Sequence, residues 1–286
     1  RQPAIGIAEL ESVFGGDKIR VLGNYACLIK TEKLNVSHFG SILKTGQVIF
    51  EVNSTDWRDV SKKITKIFEH DFADFSGKIT LGISTYGLKT RANEVSKTGA
   101  IIKQKLKNHG ISVRIIPSKT AELSTAISHN NKLGLSEKKI EILAVRGGKK
   151  TIVALSEGAQ NITSYARRDQ NRPKRDAFVG MLPPKLAQTM INLGVGENQP
   201  QIQALFGKKT FEKPEILDPF CGTGTVIQEA LLKGFKANGT DLSEKMVEFS
   251  KENSDWFMRE FKPHGEIGEI YEADATFEKW SFAKKL

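Results

Sequence analysis

The sequence predicts an α/β protein built from more than one compact unit. First, its 286 residues exceed the usual size of a single domain. Second, strand-like runs alternate with segments of helical periodicity, and this alternation is typical of α/β folds. Third, residues 216–243, ILDPFCGTGTVIQEALLKGFKANGTDLS, place a glycine-rich turn between an apolar strand and a helix. Turns of this kind bind nucleotide-like ligands in sheet proteins.

The charge balance of the chain favours a polyanionic partner. Lys and Arg number 43 and Asp and Glu number 33, which gives a net charge of +10 and a pI of about 9.4. Such a balance is typical of proteins that bind nucleic acid. A soluble basic protein without a polyanionic partner would show the same composition, so charge alone leaves that alternative open.

Cysteine, histidine and hydropathy patterns argue against several classes of protein. Cys27 and Cys221 belong to no CxxC motif, and the five histidines form no ligand-spaced cluster. We therefore predict neither a disulfide framework nor a metal site. No window reaches about 18 apolar residues, so we predict no membrane span. A reducing, cytoplasmic setting fits these patterns.

The first 52 residues predict a small α/β scaffold. IGIAELESVFG has apolar residues at helical spacing and ends in Gly15-Gly16, a helix stop. YACLIKT alternates like a strand, and VSHFGSILKTGQVIFEV predicts a short helix followed by a strand.

Residues 53–160 predict a mixed α/β unit of ordinary domain size. WRDVSKKITKIFEH and EVSKTGAIIKQKLKNHG are amphipathic helix patterns, the second with Gly110 at its C-terminal cap. The residues assigned to the inner faces of these helices are Val60, Ile64, Ile67, Phe68, Ile101, Ile102 and Leu106. The predicted strands are KITLGIST, ISVRIIP, ELSTAISHN, IEILAVRGG and KTIVALSEG.

The stretch from Thr85 to Thr120 is almost free of acids. It carries eight Lys or Arg residues and one acid, Glu94, for a net charge of +7. Lys103 and Lys107 lie four residues apart and so share one helical face, and Lys97 lies on the same helix. We predict that these three lysines contact RNA phosphates. The alternative is a solvated helix face without a partner.

Residues 161–180 predict a basic linker. Its cations are Arg167, Arg168, Arg172, Lys174 and Arg175. Arginine suits bidentate phosphate contacts, so we predict that these residues bind RNA; an exposed interdomain linker that happens to be basic is the alternative.

An apolar-periodic helix is predicted to follow the linker. It opens at Pro183-Pro184 and ends at Gly194. Leu186, Met190 and Leu193 form its apolar face, which we expect to pack onto the next sheet.

Three acids are predicted to line one crevice. Asp218 ends a strand just before the glycine turn, Asp241 ends the next strand, and Asp274 follows a third strand-like run. Gly222 and Gly224 let the backbone turn tightly and allow a ligand to approach. An acid about 20 residues beyond the first glycine is placed to accept hydrogen bonds from ribose hydroxyls.

The turn favours S-adenosylmethionine over a nicotinamide dinucleotide. The dinucleotide fingerprint G-x-G-x-x-G needs a third glycine, and Ile227 stands at that position. Asp218, placed before the glycines, would repel a pyrophosphate but suits the amino group of a methionine moiety. We therefore predict S-adenosylmethionine as the cofactor.

DPFCGTGT resembles the cofactor loop of Rossmann-like methyltransferases that act on exocyclic amines. RRDQNRPKRDAFVGMLPPKLAQTMINLG is similar to the segment that leads into that domain in THUMP-containing tRNA guanosine N-methyltransferases, of the type that modifies position ten. The resemblance implies a ferredoxin-like unit at 1–52, a THUMP-like RNA-binding domain at 53–160, a basic linker at 161–180 and an incomplete Rossmann-like domain at 181–286. It implies methyl transfer to a guanosine amine, with tRNA as the partner.

The resemblance also implies a set of cofactor contacts. Asp218 and the loop residues would cradle the methionine part, Asp241 would hold the ribose, Leu242 would lie beside the adenine, and Asp274 and Ala275 would meet the adenine edge. The loop residues concerned are Phe220, Cys221, Gly222, Thr223 and Gly224. Leu182 and Pro183 would border the methionine end.

The chain departs from the family at its catalytic motif. The family has an Asn/Asp-Pro-Pro-aromatic loop that binds the target amine, and no such motif occurs before Leu286. No catalytic residue is therefore assigned, and the chain as given is expected to be inactive, through truncation or through a natural loss. Two other functions stay open: a non-catalytic RNA-binding protein with a vestigial methyltransferase half-domain, and a DNA amine methyltransferase.

Overall fold

The fold is seen in a computed structural model that describes residues 3–31, 34–72, 75–198 and 214–276. These residues fall into two compact units. The first lies within 1–7, 17–37 and 42–162, and the second within 8–16, 38–41 and 163–286. The predicted domain at 181–286 therefore includes two segments, 199–213 and 277–286, that lie outside the described residues.

The first unit is organised around a five-stranded mixed sheet. The described strands of the whole unit are β1 (Ile19–Leu22), β2 (Ala26–Ile29), β3 (Lys44–Val52), β4 (Lys78–Tyr86), β5 (Ser112–Ile115), β6 (Lys139–Gly147) and β7 (Lys150–Ala159). The sheet order is β3-β7-β6-β4-β5, in which β4 runs parallel to β5 and β6, and β7 runs antiparallel to β3 and β6. β1 and β2 form a separate antiparallel pair. β3, which ends at Val52, pairs antiparallel with β7.

Helices α2 (Trp57–Asp71) and α3 (Ala92–Asn108) supply much of the apolar core of the first unit. The helix α2 begins where Asp56 accepts the N–H of Arg58 at 2.8 Å, as expected of an N-cap residue. The buried core residues include Val60, Ile64, Phe68, Ile79, Leu81, Ile102, Leu106 and Ile142. Of the residues predicted for the inner faces, Ile67 is half-buried and Ile101 is 50% exposed, and the others are buried.

One predicted strand of the first unit is a helix. ELSTAISHN contains α4 (Thr125–Asn130), not a strand. Ser124 caps it by accepting the N–H of Ile127 at 3.2 Å. The Ser-Thr pair at its start can serve as a helix cap or as β-favouring residues, and the local cap prevails here.

The second unit is organised around three parallel strands. It contains β8 (Glu215–Asp218), α7 (Thr225–Leu232), β9 (Lys236–Asp241), α8 (Glu244–Phe261) and β10 (Glu266–Glu272). The sheet order is β10-β9-β8, and α7 and α8 bury apolar side chains against it. The predicted strand-turn-helix and the two further strands are confirmed.

The predicted basic linker begins as a helix. Residues of the segment 161–180 form α5 (Ile162–Gln170), and α6 (Pro184–Val195) follows after a short connection. α1 (Pro3–Phe14) has residues in both units.

The face of α6 that is buried differs from the predicted one. Leu186, Met190 and Leu193 are exposed by 43%, 50% and 42%, so their assignment to the inner face is wrong. The buried side is instead formed by Ala187 and Ile191 together with polar Gln188, Thr189 and Asn192. Asn192 donates from Nδ2 to Glu9 Oε1 at 2.5 Å and to the carbonyl of His38 at 2.9 Å. The helix is thus held by polar contacts that an apolar periodicity does not detect.

In the described part of the chain, no helix combines the length and the apolarity that a membrane crossing would need.

Candidate functional site

The carboxyl ends of the three parallel strands bring the predicted acids to one edge of the sheet. Asp218 is the last residue of β8 and Asp241 the last of β9, while Asp274 follows β10 by two residues. The strands are paired in register, with Asp218 opposite Gly239 and Asp241 opposite Glu272. Ligands of open α/β sheets bind at this edge.

The glycine loop lies against the end of β9. The N–H of Cys221 donates to the carbonyl of Thr240 at 2.8 Å, and the N–H of Gly222 donates to Asp241 Oδ2 at 2.9 Å. The other oxygen of Asp241 accepts the N–H of Ser243 at 3.0 Å. Because a carboxylate has about four lone-pair sites, both oxygens keep capacity for a further donor.

The two glycines of the loop have different roles. Both have positive φ, +50° at Gly222 and +84° at Gly224, a region that favours glycine. A Cβ at Gly224 would lie 2.7 Å from Ser250 Oγ, whereas a Cβ at Gly222 would meet nothing within 4 Å. Gly224 is therefore required by packing, and the space beside Gly222 is open to a ligand.

The side chains of Cys221 and Thr223 are buried, unlike those of two neighbouring site residues. Both residues are buried, and burial raises the pKa of the Cys221 thiol to about 12. Phe220 and Leu242, in contrast, are 75% and 71% exposed beside the ends of β8 and β9. Contacts from Cys221 and Thr223 to a cofactor would have to come from the backbone.

The two acids at this edge influence one another. Burial raises the pKa of the Asp218 carboxyl, and the Asp241 carboxylate adds to the effect, while the N–H of Phe220, 3.1 Å from Asp218 Oδ1, opposes it. A cationic group beside Asp218 would favour its ionised form, whereas a phosphate would oppose it.

The remaining predicted cofactor residues are less enclosed. Asp274 is exposed, and its Oδ1 accepts the N–H and the hydroxyl of Thr276, which lower its pKa. Ala275 follows it and is half-buried. Leu182 is half-buried, and Pro183 is the exposed cap of α6. The adenine role of Asp274 and Ala275 and the methionine role of Leu182 and Pro183 stay predictions.

The predicted RNA-binding lysines of the first unit are accessible. Lys97, Lys103 and Lys107 are all exposed on α3. Lys105, on the same helix, is half-buried and donates to Glu69 Oε2 at 2.5 Å. The three predicted lysines are therefore free to meet a phosphate backbone, as the prediction requires.

The five cations predicted in the linker separate into two groups. Arg167, Lys174 and Arg175 are exposed or half-buried at the surface, with Arg167 paired to Glu260 and Lys174 to Glu252. Arg168 and Arg172 are only 4% and 3% exposed. The prediction that Arg168 and Arg172 contact RNA is therefore corrected, because a buried guanidinium cannot reach a phosphate.

Both buried arginines have partners inside the second unit. Arg168 donates from Nε and Nη2 to the two carboxylate oxygens of Glu229, at 2.6 and 3.2 Å. Arg172 donates from Nη1 to the hydroxyls of Thr225 and Thr223, at 2.7 and 3.3 Å. Glu229 is the one charged residue in the mainly apolar helix sequence TVIQEALL, and this was the sequence signal for a buried charge that needs a partner.

Sequence reasoning missed Asn253, which also contacts the loop. The residue is fully buried in α8, and its Nδ2 donates to the carbonyl of Thr223 at 2.9 Å. A polar residue in an amphipathic helix gives no signal that distinguishes such a contact from a solvated position.

Within the described residues, no group of three or more His, Cys, Asp or Glu side chains is arranged to hold a metal ion.

Comparisons with known proteins identify two curated relatives with similar segments. One is described as a tRNA (guanine(10)-N2)-dimethyltransferase of Methanothermobacter thermautotrophicus, 39% identical over 94 residues. The other has the same description, comes from Pyrococcus abyssi and is 40% identical over 76 residues. The matched segments cover 32% and 27% of this chain but only 24% and 18% of the relatives. No family model matches the chain.

Among solved structures, TrmN from Thermus thermophilus is similar at 14% identity and a TM-score of 0.36. The alignment covers 82% of this chain and 56% of that structure. A score of this size is too low to carry an argument about fold or function.

Proposed function

We propose that this chain carries the cofactor-binding part of an S-adenosylmethionine-dependent methyltransferase that modifies the exocyclic amine of a guanosine in tRNA. The observation that carries the proposal is the hydrogen bond from Gly222 N–H to Asp241, which holds the glycine loop between two acidic strand ends. The segments shared with the two tRNA (guanine(10)-N2)-dimethyltransferases support the substrate class.

The residues at this edge fit the proposed cofactor. Asp241 keeps acceptor capacity on both carboxylate oxygens, which suits two ribose hydroxyls. The open space beside Gly222 lets a ligand approach the backbone. The raised pKa of Asp218 marks a position where a cationic methionine group would be stabilising and a pyrophosphate would not.

The chain's own residues would act by binding and alignment. When bound, S-adenosylmethionine supplies an activated methyl group on a positively charged sulfur. Asp241 would orient the ribose, Asp218 would hold the methionine end, and Phe220 and Leu242 would cover the exposed side of the ligand. Such placement is what an in-line transfer requires of its enzyme, since the reaction depends more on position than on acid-base groups.

We propose the finer organisation on the same basis. The sheet and helices within 53–160 would form a THUMP-like RNA-binding domain that follows a ferredoxin-like unit at 1–52, and 181–286 would form the Rossmann-like domain. The accessible cations among those predicted to bind RNA would contact tRNA phosphates. They are Lys97, Lys103 and Lys107 in the first, and Arg167, Lys174 and Arg175 in the second.

Two measurements test the proposal. Calorimetric titration of this chain with S-adenosylhomocysteine should show one binding site. Incubation of the full-length protein with tRNA and methyl-labelled S-adenosylmethionine should place label on a guanine amine. Binding of tRNA without any affinity for the cofactor would favour a non-catalytic RNA-binding protein, and label in DNA but not in tRNA would favour a DNA amine methyltransferase.

A further inference from the structure

The segment 171–175 lies against the glycine loop through buried contacts, and we call it the strap. Arg172 of the strap is 3% exposed and donates from Nη1 to the hydroxyls of Thr225 and Thr223, at 2.7 and 3.3 Å. Its Nη2 donates to Asp169 at 3.3 Å. One guanidinium therefore contacts the residues on both sides of Gly224.

Asn253 also hydrogen-bonds the strap, through the backbone of Lys174. Its Oδ1 accepts the N–H of Lys174 at 2.9 Å, and its Nδ2 donates to the carbonyl of Lys174 at 2.9 Å. The same Nδ2 donates to the carbonyl of Thr223 at 2.9 Å. A single buried amide thus joins the backbone of the strap to the backbone of the loop.

Thr223 is consequently held at two points. Arg172 binds its hydroxyl and Asn253 binds its carbonyl, and the residues on either side of it are glycines. A glycine pair has wide conformational freedom, so the loop would lose entropy if a ligand had to order it. A loop that is fixed in advance binds its ligand with less of this cost.

Arg172 differs from the other buried arginine in what it contacts. Arg168 has a bidentate carboxylate partner in Glu229, whereas the shortest contact of Arg172 is the hydroxyl of Thr225. Among the described residues, Arg172 Nε has no hydrogen-bond partner, and burial lowers the pKa of its guanidinium. Its carboxylate partner, Asp169, lies 3.3 Å away and is 40% exposed. Keeping the Arg172 cation buried with these partners is costly, which favours a role in loop geometry over one in stability.

We propose that Arg172 and Asn253 are positioning residues that set the geometry of the glycine loop for cofactor binding. The inference rests on the proposed function in so far as the ligand of the loop is S-adenosylmethionine. Three cations of the strap, Arg172, Lys174 and Arg175, were predicted to bind RNA. We infer that the buried side of the strap supports the cofactor site.

Thr225 offers a matched pair of variants for the test. Thr225→Val removes the hydroxyl that Arg172 binds but keeps the shape of the side chain, and Thr225→Ser keeps the hydroxyl. Calorimetry with S-adenosylhomocysteine on the full-length protein should show about tenfold weaker binding in Thr225→Val and a change of less than about twofold in Thr225→Ser. Lys251→Ala, which removes an exposed charge from α8, is the control and should bind like the parent.

Amide hydrogen exchange, measured without ligand, tests the positioning role independently of which cofactor the loop binds. Amides of Gly222–Gly224 should exchange faster in Thr225→Val and in Asn253→Leu than in Thr225→Ser. If the parent protein does not bind S-adenosylhomocysteine but exchange still responds in this way, the positioning role stands and the choice of cofactor is wrong. Equal affinity and equal exchange in Thr225→Val and Thr225→Ser would overturn the inference.

Discussion

Two sets of cationic side chains, one in each unit, lie in opposite environments. In the first, Lys97, Lys103 and Lys107 are exposed on a helix whose other face packs into an apolar core. In the second, Arg168 and Arg172 are turned inward and contact elements that carry the glycine loop. Exposed cations act on a partner through long-range attraction, whereas buried ones act on the fold through short, directional bonds. The two sets of cations therefore need different tests.

The contrast is not absolute, because the first unit also buries an ion pair. Lys44 Nζ lies 2.5 Å from Glu141 Oε1, and the hydroxyl of Ser84 donates to the same oxygen at 2.6 Å. This pair joins strands of one sheet and has no contact with a predicted site residue among the bonds described. The role of a buried charge must therefore be argued from the elements that it contacts.

The largest effect is expected from Arg168→Met, which leaves Glu229 buried without its cation. We expect a loss of about 3–5 kcal/mol in the free energy of unfolding, measured in urea, because one partner of a buried pair is removed. The neighbouring Arg167→Met breaks an exposed pair with Glu260 and should cost about 1 kcal/mol or less. Equal losses in the two variants would show that the buried pair stabilises the fold no more than the exposed pair does.

A second test uses pH and Lys233, another buried cation of the second unit. Burial lowers its pKa from 10.5 to about 8, and Glu9 and Glu229 oppose the effect. The unfolded chain then holds this proton more tightly than the folded one between pH 8 and 10.5, so stability from this group rises with pH across that window. The full change is about 3 kcal/mol.

Lys233→Met removes that titration. The difference in unfolding free energy between parent and variant should shift in favour of the parent as the pH rises from 8 to 10.5. Lys236→Met gives the contrasting case: the hydrogen bond with Glu215 raises the Lys236 pKa, so any shift from this group should favour the variant, not the parent, as the pH rises. A parent-variant difference that stays constant across this window would mean that Lys233 is not desolvated.

The third effect concerns the cofactor edge itself. Asp241→Ala removes the acceptor proposed for the ribose hydroxyls and also releases the N–H of Gly222. We expect S-adenosylhomocysteine to bind about ten- to a hundredfold more weakly, which corresponds to a loss of about 1.5–3 kcal/mol. Glu244→Ala removes an exposed acid close in sequence and should leave the affinity unchanged. Unchanged affinity in Asp241→Ala would mean that this carboxylate faces elsewhere.

The sequence was sufficient to predict the parts of the fold that depend on local pattern. Local pattern predicted the strand ends at Asp218 and Asp241 and the turn at Gly222 and Gly224. Apolar runs, glycines and acids occur there at a recognised spacing. The same holds for the amphipathic helix α2, whose buried face follows its apolar periodicity.

The parts that depend on long-range polar contacts were not predictable in this way. The buried side of α6 is set partly by Asn192 and its bonds to Glu9 and His38, which are distant in sequence. Arg172 and Arg168 read as exposed cations because charged residues are rarely buried unless they are paired. Their partners Thr225 and Glu229 lie more than fifty positions away along the chain.

The smallest effect is expected at the exposed lysines of α3, and it sharpens the comparison because it appears only in RNA binding. Lys103→Ala and Lys107→Ala together should lower the log-log slope of tRNA affinity against salt by about 1.4–1.8, since each lost phosphate contact contributes about 0.7–0.9. Stability should change little, as both side chains are exposed. The control is Lys149→Ala, which removes an exposed charge from a turn outside the acid-poor stretch. Its salt slope should match the parent's. If the α3 double variant also keeps the parent's slope, the cations of this helix form a solvated face, and RNA contact in the first unit must be sought elsewhere.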